Sequence, residues 1–303
     1  MAFYINGNHL KAAFTEAACR LKTEKDTLNK LNIFPVADKD TGINMAISME
    51  KTAAHISSCG CPAEAADDAY MQLLEYAHGN SGTILTLFFE GFAFGLPAGA
   101  EEVSGSQFAA AMLKGAENAM NGVDKPMAGT ILTVAMQSAK AGVSLAEMTD
   151  DAAAVMDRVV QESRAALLQT AHQNPVLKPF RVVDSGAYGF CLILDAFRSS
   201  IAPELPEIPY PPFILPDTEL QEESVILYRY CTEFLLEPSA DADLAELETI
   251  LKSMGDCCLM AGRNHLKKVH IHTQQPEQVL TLAAAYGTVR STKVDDMLAP
   301  QQQ

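Results

Sequence analysis

Between Phe34 and Met45 the chain reads Phe-Pro-Val-Ala-Asp-Lys-Asp-Thr-Gly-Ile-Asn-Met, which sets two carboxylates, Asp38 and Asp40, on either side of one residue in a turn. Two hard oxygen ligands aimed at one small cation suit Mg²⁺, which keeps room for water and phosphate oxygens. Thr41, Gly42 and Asn44 follow at once, and a glycine lets a phosphate approach the backbone N–H groups because no Cβ stands in the way. The loop is therefore read as a site for a metal–nucleotide phosphate tail, and the chain as a nucleotide-binding or phosphotransfer protein. Taken alone, it reads equally as a solvated turn.

Three further turns share its character. They are His78-Gly-Asn-Ser-Gly-Thr83 ahead of the apolar run Ile84–Phe94, Lys125-Pro-Met-Ala-Gly-Thr-Ile131, and Val182-Val-Asp-Ser-Gly-Ala-Tyr-Gly189. Small polar residues at a helix start leave N–H groups free for an anion. Each turn by itself also reads as an ordinary helix cap. As a set they predict more, since four helix N-termini at one end of a bundle would focus their positive ends on one anion.

A second constellation lies near the C-terminus. His270 and His272 are two apart on a predicted strand and so face the same side of a sheet. The expected element order after residue 223 is β-α-β-β-α-β, that of a ferredoxin-like unit, in which the first and third strands are neighbours. Cys231, in Tyr230-Cys-Thr-Glu-Phe234, then comes within reach of the two imidazoles. Cys plus two His is a Zn²⁺ ligand set with an open fourth position. The competing reading is a pair of exposed strand histidines near a buried cysteine. Cys59-Gly-Cys61 and Cys257-Cys258 lack partners at ligand spacing and are read as incidental.

The elements that must position these residues follow from periodicity. Leu10, Ala13, Phe14, Ala17, Ala18 and Leu21 mark one amphipathic helix, and Val155, Met156, Val159, Val160 and Leu167 mark another over 145–170. Further helices are expected at 63–77, 82–95, 107–121, 129–142 and 187–200. Residues 1–200 thus read as an all-α bundle of about eight helices. Six prolines between Ile201 and Pro216 predict an extended linker, placed over 201–222. Beyond it, 223–303 reads as a small α+β domain, with strands at 225–234, 257–261, 268–273 and 288–293 and helices at 243–254 and 276–286.

Hydrophobic residues make up 48% of the 303, ample for buried cores. A net charge of −16 excludes a nucleic-acid-binding role, whose footprint is basic, and means that a polyanion such as ATP needs a cation to mediate its contact. No basic n-region, long apolar run or secretory cysteine pattern is apparent, so a cytoplasmic protein without a transmembrane segment is expected.

The combination of Ile5-Asn-Gly7, Leu31-Asn-Ile-Phe-Pro-Val36, Asp38-x-Asp-Thr-Gly-x-Asn-Met45, Gly79-Asn-Ser-Gly82, Gly129-Thr-Ile-Leu-Thr133 and Val183-Asp-x-Gly186 resembles the nucleotide-binding L-subunit family of dihydroxyacetone kinase, in the form at the front of bacterial fatty acid kinases. The resemblance implies an eight-helix barrel whose loops at one end hold Mg²⁺-ATP or ADP. It implies Asp38 and Asp40 as catalytic Mg²⁺ ligands, with Asn32 near a third ligand position. Thr41, Gly42, Asn44, Asn80, Ser81 and Gly82 would contact phosphates. Gly129, Thr130, Asp184, Ser185 and Gly186 would complete the pocket. The middle domain of fatty acid kinases has the same Cys-Thr-Glu-Phe and His-x-His-Thr, which implies zinc on Cys231, His270 and His272.

An ATP-dependent kinase subunit is implied, acting on a hydroxyl or carboxylate acceptor presented by a separate subunit or by a fatty-acid-binding carrier protein. A homodimer through the second domain is a further expectation. The chain departs from the family at Lys39, where Gly is usual, at His78, where Arg is usual, and at Ala128, where Glu is usual. A glycine between the carboxylates suits a positive φ, which Lys39 would adopt only with strain. These departures motivate the alternative, a nucleotide-binding regulatory scaffold of weak or no turnover. A zinc-dependent hydrolase centred on Cys231, His270 and His272 is a third reading.

Overall fold

The computed structural model describes residues 2–34, 39–56, 60–216, 226–263 and 265–299. Asp38, Cys59 and the expected strand start at Val225 lie outside them. A two-residue strand pair, β1 (Ile5–Asn6) and β2 (Glu102–Val103), ties the N-terminus to the helical unit. The helices of this unit are α1 (Gly7–Thr23), α2 (Lys25–Leu31), α3 (Thr41–His55), α4 (Pro62–Tyr76), α5 (Gly79–Gly95), α6 (Gly105–Gly122), α7 (Ile131–Ala146), α8 (Ala152–Gln173) and α9 (Ser185–Ile201). Nine are described where about eight were expected, because Glu24 divides α1 from the seven-residue α2.

Local signals start the helices where they start. Asn6 and His9 form a capping box at α1, Ser104 and Gln107 form one at α6, and Pro62 opens α4. The apolar stripe of α1 is wholly buried, as its spacing predicts. α8 begins at Ala152, not at Leu145, since residues 147–151 leave the helix with Met148 exposed. Phe3 N–H donates to Asp151 Oδ1 at 2.8 Å and Ala152 N–H to Phe3 O, so the N-terminal segment sets that start.

The centre of the bundle is filled by phenylalanines. Phe14, Phe89, Phe92, Phe108, Phe190 and Phe197 are buried, with ring pairs such as Phe14–Phe89 at 5.0 Å. Burying each such ring is worth about 1.5–3 kcal/mol. α5 is surrounded, and its approach to α6 depends on glycine. A Cβ on Gly115 would lie 2.7 Å from Phe88 O, and one on Gly91 would lie 2.5 Å from Lys114 O.

The Pro-rich segment contains no helix beyond Ile201 and lies on α8 and α9. Tyr210 O–H donates to Asp195 at 2.7 Å, the Arg164 guanidinium stacks 3.4 Å from the Tyr210 ring, and Ile214 bridges to Val182. The C-terminal unit comprises β3 (Tyr230–Pro238), α10 (Leu244–Ser253), β4 (Gly255–Ala261), β5 (Lys267–Thr273), α11 (Pro276–Ala284) and β6 (Gly287–Asp296). Its sheet has the order β4-β5-β3-β6, antiparallel throughout. β3 starts and ends later than its sequence pattern predicts. It continues through Leu235 and Leu236, which are buried in two different cores.

Alternation along these strands gives the sheet two unlike faces. Phe234, Leu236, Val269 and Ile271 pack with Leu247, Leu251, Val279 and Ala283 beneath α10 and α11. Cys231, Glu233, Lys268, His270 and His272 alternate with them, and the last four are buried. Leu235, Ala261 and Leu266 join the core of the helical unit, so the polar face is covered by packing against that unit. No helix among the described residues is long and apolar enough to cross a membrane.

Gly115→Ala should lower stability by about 1–3 kcal/mol, the usual cost of overpacking a close contact. Urea unfolding of the two proteins measures it, and an unchanged midpoint would contradict the close α5–α6 approach.

Candidate functional site

The four turns come together at one end of the helical unit, each at a helix start: Asp40 before α3, His78 before α5, Thr130 before α7 and Asp184 before α9. Gly79, at φ 67°, lies so close to the first turn that a Cβ there would sit 2.5 Å from Asn44 Nδ2. His78 N–H donates to Ser48 Oγ of α3 at 3.1 Å. A Cβ on Gly186 would lie 3.5 Å from Ser81 Oγ and 3.6 Å from Ile131 Cβ, joining the remaining turns.

Asp184 ties two helices with one carboxylate. Its Oδ1 accepts from Ala187 N–H at 2.8 Å, capping α9, and from Ile131 N–H at 3.1 Å, at the start of α7. Burial pushes its carboxyl up to about 7, against the pull of those two N–H groups. Ser185 Oγ–H donates to Leu28 O at 2.7 Å and anchors α9 to α2. Beside the third turn, a Cβ on Gly129 would lie 2.5 Å from Asn174 N, and the buried Asn174 Nδ2 finds no acceptor among the described residues.

The start of α3 is satisfied by amides. Asn32 Oδ1 accepts from Asp40 N–H at 3.0 Å, Thr41 N–H at 2.9 Å and Thr41 Oγ1–H at 2.8 Å. Asn29 Oδ1 accepts from Gly42 N–H at 2.8 Å and Ile43 N–H at 3.2 Å. Three donors leave no lone pair on Asn32 Oδ1 for a cation, so Asn32 braces the loop and does not ligate through that atom. For the same reason the N–H groups of Thr41 and Gly42 are not open to a phosphate. The first turn's remaining offers are the half-buried Asp40 carboxylate and the side chain of Asn44. Asp38 lies outside the described residues. Lys39 has a φ of 59°, the left-handed conformation expected at a position where glycine is usual.

The second constellation lies against the first. Cys231 pairs with His272, and Glu233 with His270, across β3 and β5. Ligand atoms of Cys231, His270 and His272 all lie within 4.8 Å of one another, with Cys231 Sγ 3.8 Å from His270 Nδ1. The two rings sit 5.0 Å apart, and both histidines are buried, which removes the exposed-histidine alternative. Each imidazole has a carboxylate at Nδ1: Glu233 Oε1 at 2.9 Å from His270 and Asp256 Oδ1 at 3.4 Å from His272. With its proton on Nδ1 toward Glu233, His270 keeps on Nε2 a buried lone pair that no described donor meets. Soft thiol and imidazole donors, carboxylate-braced rings and an unmet lone pair fit a Zn²⁺ ion.

The electrostatics join the two halves. Burial raises the Cys231 thiol pKa well above its usual value, with the charges of Glu233, Asp295 and Asp40 adding to it. Asp40 belongs to the first turn, so the metal turn and the Cys–His trio feel each other's charge. Burial lowers His270, against the attraction of Glu233. Burial alone would raise Glu233, yet hydrogen bonds from His270 and His78 hold its carboxyl well below the usual range. Glu233 went unassigned in the sequence although it lies two residues from Cys231, hence on its face. Asp256 was missed because the register shift between Asp256 and Leu259 places it, and Cys257 at φ 50°, by a local irregularity that strand alternation does not encode.

A family model described as DAK2 domain matches residues 35–199, and a FakA-like model, for the middle domain of fatty acid kinase, matches residues 227–303. Protein YloV of Bacillus subtilis is 31% identical over 308 residues, covering 97% of this chain and 56% of that protein. An uncharacterized protein of Staphylococcus haemolyticus is 32% identical over 309 residues, covering 97% of this chain and 55% of its own length. The chain thus spans about half the length of the curated relatives it matches. The crystal structure of the native dihydroxyacetone kinase of C. freundii is similar over 63% of this chain and 34% of that chain, at 17% identity and a TM-score of 0.49.

A carboxyl whose folded pKa is raised holds its proton longer when folded, so its contribution to stability is full below the unfolded value and falls as pH rises through the folded one. For Asp184 the window runs from about 4 to 7, a loss of about 3–4 kcal/mol at 1.36 kcal/mol per pH unit. Asp184→Asn keeps an Oδ1 acceptor without the charge. Unfolding free energies of the two proteins at the ends of this window should differ by that amount in their pH dependence; parallel profiles would refute the assignment.

Proposed function

The chain belongs to the DAK2 domain family, and on that premise we propose that it is an ATP-dependent kinase subunit of the dihydroxyacetone or fatty acid kinase type. The observation that carries this reading is the convergence of four helix N-termini, those of α3, α5, α7 and α9, beside the Asp40 carboxylate. Their positive ends attract a polyphosphate, which an acidic chain otherwise repels. Asp40, with Asp38 from the same loop, would hold Mg²⁺ and bridge it to phosphate oxygens. The N–H groups of Asn80 and Ser81 would take phosphate oxygens, and Gly82 would keep the α5 start close. Gly129, Thr130, Ser185 and Gly186 would line the rest of the nucleotide, with Asp184 holding their two helices in place. Catalysis would be electrostatic and positional.

We read the helical part as the eight-helix barrel of this family and the C-terminal part as a ferredoxin-like domain, with boundaries near 200 and 223. Zn²⁺ on Cys231, His270 and His272 would supply a Lewis acid with an open position. The match of residues 227–303 to the fatty acid kinase middle-domain model supports an acyl acceptor carried by a fatty-acid-binding protein, and a pairing of two copies through this domain. A second reading, a nucleotide-binding scaffold with little turnover, is favoured by Lys39, whose ammonium-bearing side chain and left-handed backbone sit between the two metal carboxylates.

Mg²⁺-dependent ATP binding and phosphoryl transfer should be measured on the native chain and on Lys39→Gly, with carrier-bound fatty acid and dihydroxyacetone as acceptors. The kinase reading expects Mg²⁺-dependent binding and transfer to one acceptor by the native chain. Binding without transfer in the native chain, restored by Lys39→Gly, would leave the scaffold reading. Lys39→Gly should also raise stability by about 0.5–1 kcal/mol, the strain of a left-handed non-glycine residue less the entropy that glycine adds to the unfolded chain.

A further inference from the structure

One carboxylate touches both candidate sites. Glu233 is 3% exposed, on the face of β3 that also carries Cys231. Its Oε1 accepts from Gly79 N–H, the first donor of α5, at 2.8 Å and lies 2.9 Å from His270 Nδ1. Its Oε2 lies 3.2 Å from His78 Nδ1. The phosphate turn of the helical unit and one imidazole of the Cys–His trio are thus bonded to the same group, contributed by the C-terminal unit.

This group acts differently on the two ligands. Toward a metal on the trio it is favourable, because a carboxylate on Nδ1 fixes the ring and raises its basicity. Toward a polyphosphate it is unfavourable, because it sets a negative charge beside the N–H groups of Asn80 and Ser81, which have no acceptor among the described residues. In a site shielded from water that repulsion is poorly screened. A divalent cation on the trio offsets the charge.

We propose that Glu233 couples metal occupancy of the Cys231–His270–His272 trio to polyphosphate binding at the start of α5, each strengthening the other. The coupling rests on the nucleotide and zinc readings above, and linkage requires the same factor in both directions.

The test uses Mg-ADP as the probe, titrated calorimetrically into the native protein after zinc removal by chelation and again after reloading. Zinc affinity is measured by chelator competition with and without saturating Mg-ADP. Mg-ADP should bind about tenfold more tightly to the zinc-loaded protein, and zinc about tenfold more tightly with Mg-ADP present. In Glu233→Gln the factor should fall below about twofold, with the zinc-free variant binding Mg-ADP more tightly than the zinc-free native protein. If both ligands bind the native protein with coupling under about twofold, or of opposite sign, the proposal is overturned while the two site readings stand. If Mg-ADP or zinc does not bind at all, the reading of that site fails and the proposal with it. The native comparison decides the matter even if Glu233→Gln does not fold.

Discussion

Helix N-termini gathered at one place present unpaired N–H groups and like-signed dipole ends to one another, and this congregation constrains everything else in the molecule. The chain meets it with its own acceptors. Asn32 and Asn29 satisfy α3, Asp184 serves both α7 and α9, and Glu233 reaches from another unit to α5. What remains open at the start of α5 is the pair of N–H groups on Asn80 and Ser81. The site is an anion-binding end already partly neutralised by the protein, which confines a phosphate to particular positions.

The same constraint explains why the sheet of the C-terminal unit has one apolar and one polar buried face. A buried row holding Glu233, Lys268, His270 and His272 is tolerable only if its members find partners. Glu233 finds His78 and Gly79 on the helical unit and His270 on its own sheet. Leu235, Ala261 and Leu266 enter the core of the helical unit beside that polar row, so apolar contact and polar pairing hold the two units together.

Much of this was legible beforehand. The stripe of α1, the positions of α4 to α7 and α9, the alternation that joins His270 to His272, and the four phosphate-friendly turns all follow from spacing. Lys39 was expected to take a left-handed backbone because glycine is usual there, and it does. Other features were not legible, for identifiable reasons. Asn32 resembled a metal ligand because its type suits one, whereas three donors already meet its oxygen. The start of α8 looked earlier because helical periodicity runs through residues 145–151, and only the contact of Phe3 with Asp151 and Ala152 sets it.

By itself the sequence determined which residue types stand at helix starts and on which strand face each donor lies, because the periods of helix and strand are local properties of the backbone. Which of those donors remain available was decided only by the tertiary structure. Availability depends on who arrives from elsewhere in the chain: Asn32 at Thr41, Asp184 at Ile131, and Glu233 at Gly79 across 154 residues. Those meetings come from the packing of whole elements, which no local pattern encodes.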